Sequence, residues 1–444
     1  MTSVLPAFDG HDPPEQGLLD DCVHCGFCLP SCPTYVLWGQ EMDSPRGRIS
    51  LMREALEGEP LTDAMADHFD RCLGCMACVT ACPSGVRYER LIEATRQQVE
   101  RRHPRSLTDR AFRRAVFALF PHPARLRTLA PLLRAYRRLG IRGLLRRAGL
   151  TDRLPPRLRA MEALLPEIPA ARELPGRIPA RGTARRTVGL LAGCAQRVLL
   201  PGVNDATVRV LSAEGCEVVV PGGQGCCGAL SLHAGREEEA LAFARRTVDA
   251  FDAAGVEAVV VNAAGCGSAM KQYGALLAGD AAYAERGARL AERVRDVTEV
   301  LAGLEPIAPR HPLPLAAAYH DACHLAHAQG VRREPRDLLR RIPGLELREI
   351  AESDLCCGSA GVYNLLEPEP AAELGERKAR HVLDSGAEVL VTANPGCILQ
   401  IRAALERLGR PLPVVHPVEV VDASIRGRPP SSLLGLAASA RDPV

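Results

Sequence analysis

The sequence is poor in aromatic residues, which make up 4% of its 444 residues, and it has a single tryptophan. It contains no apolar run near the ~20 residues that a membrane-spanning helix needs, which argues against an integral membrane protein. The first residues, MTSVLPAFDGHDPPEQ, lack the basic region and apolar stretch of a secretory signal. The net charge is only +2 and 47% of the residues are hydrophobic, so the composition indicates a globular protein, which we expect in the cytoplasm.

Cysteine is the residue type that the sequence has in excess, with 17 copies. Disulfides are rare in the reducing cytoplasm, and a chain of this length builds a sizeable core without cross-links. We therefore expect the cysteines to serve metal binding or redox chemistry.

Two cysteine runs with the same spacing stand near the start of the chain, CVHCGFCLPSCP and CLGCMACVTACP. Each has the C-x2-C-x2-C-x3-C-P spacing of bacterial ferredoxins, in which three cysteines hold one [4Fe–4S] cluster and the fourth reaches the other. Two clusters are therefore predicted, and neighbouring clusters make a path for electrons. One predicted ligand set is Cys22, Cys25, Cys28 and Cys82, and the other is Cys72, Cys75, Cys78 and Cys32. The alternatives are zinc, which usually takes two separated cysteine pairs, and structural thiols.

The insert between the two runs predicts two helices. One follows a turn in SPRGRISLMREALEG, and the other lies in TDAMADHFDRC with Thr62 or Asp63 near its N-cap. We therefore predict an α-helical ferredoxin-type domain at residues 15–100.

Residues 101–160 are strongly basic: they hold 17 Arg, no Lys and no Glu, and two Asp (Asp109 and Asp152) leave a charge of +15. Leucine and isoleucine recur at helical spacing, and prolines divide the stretch into short helices. We predict an Arg-rich helical connector at residues 101–182. It is either a solvated linker or a docking surface for an acidic partner subunit or an anionic membrane face. Nucleic acid is disfavoured, because no recognition motif accompanies the charge.

After the linker PGRIPARGTARR, a cysteine pattern occurs twice. The first copy has Cys194, Cys226, Cys227 and Cys266, and the second has Cys323, Cys356, Cys357 and Cys397. Corresponding cysteines are 129 to 131 residues apart, which indicates a duplication. We name the two copies CCG domains after their shared Cys-Cys-Gly tripeptide, and place them at residues 183–310 and 311–425.

Each copy alternates short β-branched runs with helical stretches, which predicts a parallel sheet with right-handed crossovers. The runs are TVGLL, CEVVV and EAVVVN in the first copy, and LAAAYH, ELREI and AEVLVTAN in the second. The repeated cysteines then follow the C-terminal ends of strands, the edge at which open α/β sheets bind ligands. We predict a multidomain fold, with an α-helical two-cluster ferredoxin domain followed by two duplicated α/β parallel-sheet CCG domains. Each CCG domain would hold a four-cysteine metal site, with buried structural cysteines as the alternative.

Two further features are interpreted as structural. Gly223, Gly225 and Gly228 fit G-x-G-x-x-G after a strand, with Asp249 further along, but only the thiol pair recurs in the second copy. Binding of NAD or FAD at this loop is therefore disfavoured. Cys216 has no counterpart in the second copy and is predicted to be a core residue.

Taken together, the motifs resemble the iron–sulfur subunit of bacterial glycolate oxidase over nearly the whole chain. The matching pieces are CVHCGFC, CPTY, PRGRI, CPSGV, GCAQ, CCGALS, CCGSAG and TANPGC. Related families are the iron–sulfur subunits of anaerobic glycerol-3-phosphate dehydrogenase and of lactate-oxidising systems and, more distantly, the subunit of heterodisulfide reductase that contains CCG repeats.

The heterodisulfide relative implies five cysteines per repeat on a noncubane cluster. Ala269 and Gln400 stand where the last of these cysteines would be, so four thiols per repeat remain. We expect a cluster in at least one CCG domain and favour the second, where His320 and His324 flank Cys323. A histidine there acts as a donor or ligand, or else as a structural residue beside the site.

The resemblance implies an electron-transfer subunit with no catalytic residue of its own. It would accept electrons from FAD-containing oxidase subunits and pass them toward the quinone pool, in the cytoplasm or peripherally on the inner face of the membrane. The alternatives are the equivalent subunit of a lactate or glycerol-3-phosphate dehydrogenase, and a heterodisulfide-reductase-like thiol–disulfide enzyme, against which the missing cysteine argues. A redox sensor is disfavoured, because no output domain is recognised.

Overall fold

The structure, a computed structural model, describes residues 7–170 and 173–435. Residues 1–6, on which the expectation of no secretory signal partly rests, lie outside these ranges, as do residues 171–172 of the connector and residues 436–444. Within the described ranges, no helix is both long enough and apolar enough to cross a membrane.

The first domain is all-helical, as predicted. Ser44 and Thr62 cap two of its helices: Ser44 Oγ accepts from the Gly47 amide at 3.0 Å, and Thr62 Oγ1 from the Met65 amide at 3.2 Å. The helices pack around a shared apolar core that also contains Cys72 and Cys78. They are α1 (Gln16–Asp20), α2 (Pro33–Trp38), α3 (Pro45–Leu56), α4 (Asp63–Asp70), α5 (Ala77–Thr80) and α6 (Tyr88–Arg102), with a 3-10 turn at Glu41–Asp43.

The Arg-rich connector forms four helices, α7 (Leu107–Leu119), α8 (Pro123–Arg138), α9 (Ile141–Arg147) and α10 (Pro156–Leu164). Pro123 and Pro156 begin helices, as expected from their fixed φ. Pro131 does not divide a helix, and that expectation is wrong: it lies inside α8 on an exposed face, where a carbonyl left without its donor is open to water.

The first CCG domain contains a five-stranded sheet with the order β1-β3-β2-β4-β5, in which β1 comes from the end of the predicted connector. The pairs β2–β3, β2–β4 and β4–β5 are parallel, as predicted, whereas the two-residue β1 pairs antiparallel with β3. The elements are β1 (Arg177–Ile178), β2 (Arg186–Leu191), α11 (Gln196–Leu199), α12 (Pro201–Ala213), β3 (Cys216–Val219), α13 (Ala229–Leu232), α14 (Glu237–Ala254), β4 (Ala258–Val261), α15 (Ala264–Lys271), α16 (Tyr273–Leu276), α17 (Ala284–Arg293), β5 (Val294–Asp296) and α18 (Val297–Ala302).

The second CCG domain repeats this plan with a parallel sheet of order β7-β6-β8-β9, which matches β3-β2-β4-β5 of the first. The common strand order supports the duplication. The elements are β6 (Leu315–Tyr319), α19 (Cys323–Ala326), α20 (Arg333–Arg340), β7 (Leu345–Glu349), α21 (Tyr363–Leu366), α22 (Pro368–Asp384), β8 (Val389–Val391), α23 (Pro395–Arg407), β9 (Val414–Val415), α24 (Pro417–Ile425) and α25 (Ser431–Leu434).

The two CCG domains share one apolar core. It joins Val188 and Val260 of the first sheet to Ala317 and Val389 of the second. α12 lies against α24, and across this contact Arg209 binds the Asp422 carboxylate at 2.6 Å. The cysteine-bearing edges of the two sheets are therefore held in a fixed relation.

Candidate metal centres

The two C-x2-C-x2-C loops adopt the same backbone conformation. The third and fifth residues of each loop have positive φ: +54° at His24 and +86° at Gly26, then +61° at Gly74 and +63° at Met76. Such alternation turns successive backbone N–H groups to one side, which favours a negatively charged group there. The Gly74 amide donates to Cys72 Sγ at 3.4 Å, which shows that orientation directly.

Four cysteines of the second predicted set line one small cavity. Cys32, Cys72, Cys75 and Cys78 are all buried, and all of them face this cavity together with Arg48. Cys32 comes from the first sequence run, so the structure brings the fourth cysteine across to the second loop. Four convergent thiols with backbone amides around them fit a [4Fe–4S] cluster.

The first predicted set lies nearer the surface. Cys22, Cys28 and Cys82 are half-buried against the helical core, whereas Cys25 is exposed. Burial raises the pKa of Cys28 to about 11, and the neighbouring thiols Cys32 and Cys22 add to this effect. The first set is thus solvent-accessible and the second is enclosed.

Arg48 is a buried charged residue beside the second ferredoxin loop that the sequence did not single out. Its side chain is fully buried, and its guanidinium donates to the Asp43 carbonyl at 2.6 Å and to Asp43 Oδ1 at 3.3 Å. Burial raises the pKa of Cys72, but the charges of Arg48 and Arg96 more than offset it, so this pKa is lowered overall. The signal that could have revealed Arg48 is the PRGRI stretch, in which a charged residue falls on the buried side of α3.

The first CCG domain brings its four predicted cysteines together. Cys226 is within hydrogen-bonding reach of Cys194 and Cys227, and Cys227 is within reach of Cys266. Hydrogen bonds from Cys226 and Cys266 lower the pKa of Cys227 well below its usual range, although burial opposes this. The arrangement already stabilises one thiolate, and a cation would stabilise more.

The second CCG domain brings its four cysteines together in the same way. Cys323 Sγ lies 3.9 Å from Cys356 Sγ. Cys357 is within hydrogen-bonding reach of Cys356 and Cys397, and these contacts lower its pKa well below the usual range. The second domain also has a histidine beside its first cysteine: His324 Nδ1 lies 3.5 Å from Cys323 Sγ.

The glycine of each Cys-Cys-Gly tripeptide is required by close backbone packing. Gly228 has φ +84° and Gly358 has φ +85°. A Cβ on Gly228 would lie 3.0 Å from the Ala240 carbonyl oxygen, and a Cβ on Gly358 would lie 2.6 Å from that of Ala371. The tripeptide therefore places its two thiols while its glycine packs against the following long helix.

The second ferredoxin loop lies directly against the second CCG site. Leu73, Cys75 and Ala77 share an apolar cluster with Cys323, Cys356, Tyr363, Ala371 and Leu374. We call this cluster the seam. Burial raises the pKa of Cys75 well above its usual range, and Cys323 is the next contributor.

The two CCG sites are joined through a pair of histidines. The rings of His233 and His324 have centroids 5.0 Å apart, and His233 Nδ1 lies 3.3 Å from Glu93 of α6. His233 also adds to the lowering of the pKa of Cys227 in the first site. Sequence inspection misses His233, since its partner is 91 residues away in another repeat.

Three other residues that the sequence analysis considered make structural contacts. Cys216 is fully buried in the apolar core, as expected. Gln400 donates to the Ala371 carbonyl at 2.6 Å and accepts from Asn364, so its amide is occupied by structural contacts. Asp249 binds Arg286 at 2.7 Å.

Comparison with known families divides the chain in the same order. Residues 18–86 match the 4Fe-4S dicluster domain, residues 108–165 match the linker region of the glycolate oxidase iron–sulfur subunit, and residues 188–271 and 317–402 match the cysteine-rich domain.

Curated relatives cover most of the chain. A probable glycolate oxidase iron–sulfur subunit of Bacillus subtilis is 39% identical over 89% of this chain and 91% of its own length. The glycolate oxidase iron–sulfur subunit of Escherichia coli is 38% identical over 92% of this chain and 95% of its own length. Lactate utilization protein A of an Exiguobacterium species is 30% identical over 54% of this chain and 98% of its own length.

Proposed function

Because the chain belongs to the family of glycolate oxidase iron–sulfur subunits, we propose that it is the electron-transfer subunit of a complex that oxidises a 2-hydroxy acid, with glycolate as the substrate of its flavoprotein partner. Bound [4Fe–4S] clusters exchange electrons at potentials of about −700 to +450 mV. We assign Cys22, Cys25, Cys28 and Cys82 to one cluster, and Cys72, Cys75, Cys78 and Cys32 to the other.

The observation that carries the proposal is that the cysteines of the first loop are more exposed than those of the second. Cys25 is exposed, and its apolar neighbours Val23 and Phe27 are 67% and 66% exposed. Cys75, by contrast, is buried in the seam against the second CCG site. We assign electron input from the FAD-containing subunit to the first loop, where an apolar partner surface would cover Val23 and Phe27.

The CCG cysteines extend this path. We assign Cys194, Cys226, Cys227 and Cys266, and likewise Cys323, Cys356, Cys357 and Cys397, as metal ligands. The seam joins the second ferredoxin loop to the second CCG site, and the His233–His324 pair joins that site to the first. The first site adjoins α8, since Leu126 of α8 packs against Val198 shortly after Cys194.

The output side of the protein is the outer surface of α8 and α9. Leu132, Leu139 and Leu144 are 69%, 74% and 68% exposed there, and they stand among the arginines of the connector. Exposed leucines beside cations are typical of helices that lie on an anionic membrane surface. We assign this face to peripheral binding at the inner face of the membrane, where the quinone pool is reached.

Cys25→Ser tests the assignment of the first loop. Anaerobically purified holoprotein with this change should lose about four irons and should no longer be reduced by the flavoprotein subunit in the presence of glycolate. Cys216→Ser is the matched control, because Cys216 lies in the core away from both loops. Wild-type iron content and reduction rate in the Cys25→Ser protein would refute the proposal.

Lactate is the second candidate substrate, and its support is the similarity to lactate utilization protein A. The assay with the flavoprotein subunit decides between the two, because the preferred acid is the one that reduces this chain faster. A thiol–disulfide activity at the Cys323–Cys356 pair would instead appear as reduction of a mixed disulfide by the purified chain.

A further inference from the structure

His320 in the second CCG domain has a hydrogen-bonding pattern that leaves one nitrogen unused. The side chain is fully buried, and Nδ1 lies 2.9 Å from the Ser353 carbonyl oxygen. A carbonyl only accepts, so Nδ1 carries the proton and Nε2 keeps its lone pair. Among the described residues, Nε2 makes no well-formed hydrogen bond, and the thiol of Cys357 is the group within reach of the His320 side chain.

His320 lies close enough to two cysteines to bind a metal ion together with them. Single ligand atoms of His320, Cys357 and Cys397 lie within 4.8 Å of one another, and all three residues are buried. A buried imidazole nitrogen without a well-formed hydrogen bond costs free energy, and a metal ion shared with the neighbouring thiols would remove that cost. A backbone carbonyl on the opposite nitrogen is also the contact that orients histidines that bind metals.

We propose that His320 is a nitrogen ligand of iron in the second CCG domain, with Cys357 and Cys397 as two of its sulfur ligands. The second repeat is then a mixed imidazole–thiolate site. Thiolate and imidazole together suit iron, and one neutral ligand in place of a thiolate leaves the site less negative.

The duplication supplies an internal comparison. Counted from Cys194 and Cys323, the first repeat has Leu191 where the second has His320, and Ala195 where it has His324. Leu191 is buried in an apolar cluster, so the first repeat offers no nitrogen at that point. The two domains therefore differ in ligand type although their cysteines correspond.

The neighbouring polar groups do not compete for the role. Gln400, at the position of the absent cysteine, has both ends of its amide engaged by Ala371 and Asn364. His324 faces Cys323 rather than the Cys357–Cys397 pair. His320 is thus the buried imidazole that the geometry directs at those two thiols.

Pulsed EPR of reduced holoprotein tests the assignment without any turnover assay. The wild-type protein should show the strong nitrogen coupling of a coordinated imidazole, and labelling with 15N-histidine should convert it to the 15N pattern. His320→Leu, which introduces the residue of the first repeat, should abolish the coupling. His324→Ala, the corresponding change at the second histidine, should retain it.

The inference rests on the proposed function only in requiring iron in the second repeat, and the experiment separates the two. Iron content unchanged by Cys357→Ser, or zinc in place of iron, would overturn the inference while leaving the two ferredoxin clusters in place. A wild-type spectrum without coordinated nitrogen would overturn it with iron present. Nitrogen coupling that survives His320→Leu but disappears in His324→Ala would transfer the role to His324.

Discussion

The imidazole rings of His233 and His324 lie 5.0 Å apart and are tilted by 45°, although the two residues belong to different repeats. His324 contacts Cys323 of the second site, and His233 belongs to the loop that follows Cys227 of the first. The ring pair is therefore a direct contact between the two halves at the level of their cysteines.

Removal of the His233 ring should weaken both the packing between the two repeats and the electron transfer between their sites. Such ring pairs contribute about 0.5–1.5 kcal/mol, so we expect His233→Ala to lower the free energy of unfolding by about 1 kcal/mol. It should also slow electron transfer from the flavoprotein subunit to quinone at unchanged iron content. His122→Ala is the control, because His122 makes a similar ring contact, 5.7 Å from Phe243 beside the first CCG site, that does not join the two repeats. Equal transfer rates in the two variants would contradict the prediction.

Arg48→Gln should lower both the free energy of unfolding and the midpoint potential of the second ferredoxin cluster. The change removes one cation from the fully buried Asp43 carboxylate, which keeps Arg71 at 3.5 Å and His68 at 2.9 Å, so the loss should stay below the about 3–5 kcal/mol of an uncompensated buried charge. It also removes a positive charge beside Cys72, so the second ferredoxin cluster should become harder to reduce. Redox titration followed by EPR measures this shift. Arg87→Gln, which breaks a surface pair with Glu89 at 3.6 Å, should change neither quantity.

Gly358→Ala should lower the free energy of unfolding, both because of close packing and because of the backbone conformation at this position. Alanine at a left-handed position costs about 1–2 kcal/mol, and its Cβ would in addition lie 2.6 Å from the Ala371 carbonyl oxygen. Gly330→Ala isolates the first contribution, since Gly330 has φ +71° but nothing within 4 Å of its Cβ position. Chemical denaturation should show a clearly larger loss for Gly358→Ala, and equal losses would show that the helix moves aside.

His416 should make the protein less stable at mildly acidic pH. Burial lowers the pKa of His416 from 6.5 to about 3, so between these values the unfolded chain binds a proton that the folded chain does not. The contribution of His416 to the free energy of unfolding is complete above pH 6.5 and is lost as the pH falls toward 3. The loss between pH 7.5 and pH 5 is about 2 kcal/mol.

His416→Asn is the comparison for this prediction, because asparagine also caps a helix but does not titrate. His416 Nδ1 accepts from the Val418 amide at 3.1 Å at the start of α24. Unfolding curves of the two proteins should converge as the pH falls. Parallel pH dependence would assign the acid sensitivity to other groups.

Changing Leu132, Leu139 and Leu144 together to serine should release the protein from anionic vesicles. Burial of a leucine contributes about 1.5–3 kcal/mol, so a cosedimentation assay should show more than a tenfold loss of binding. Leu107→Ser is the control, because Leu107 is 75% exposed but precedes this surface. Failure of the wild type to bind vesicles, with salt-sensitive binding to the flavoprotein subunit, would assign the surface to that subunit instead.

The sequence alone predicts the strands that precede the repeated cysteines, and four of them, β2, β4, β6 and β8, are buried along most of their length. It does not predict β1, β5 and β9, which have two or three residues each and are held by neighbouring strands. The continuity of α8 through Pro131 is missed because the proline lies on the exposed face, where water can bind the carbonyl that lacks a donor.

The residues of the candidate sites likewise include some that the sequence predicts and some that it does not. Cysteine spacing predicts which thiols belong together, because the covalent geometry of a short loop limits what it can surround. Arg48 and His233 are not predictable from spacing, since their partners are set by how whole domains dock. His320 is intermediate: its position beside Cys323 draws attention to it, but the direction of Nε2 is visible only in the folded chain.

The seam also has a consequence for how the protein is made. Cys75 and Cys356 are enclosed together once the second CCG domain has docked, whereas Cys25 stays open to solvent. Iron and sulfide must therefore reach the second ferredoxin loop before the C-terminal half of the chain closes over it, while the first loop can be filled or repaired afterwards. Maturation of this protein thus has an order, and an oxidant in the finished protein will reach the first loop before the second.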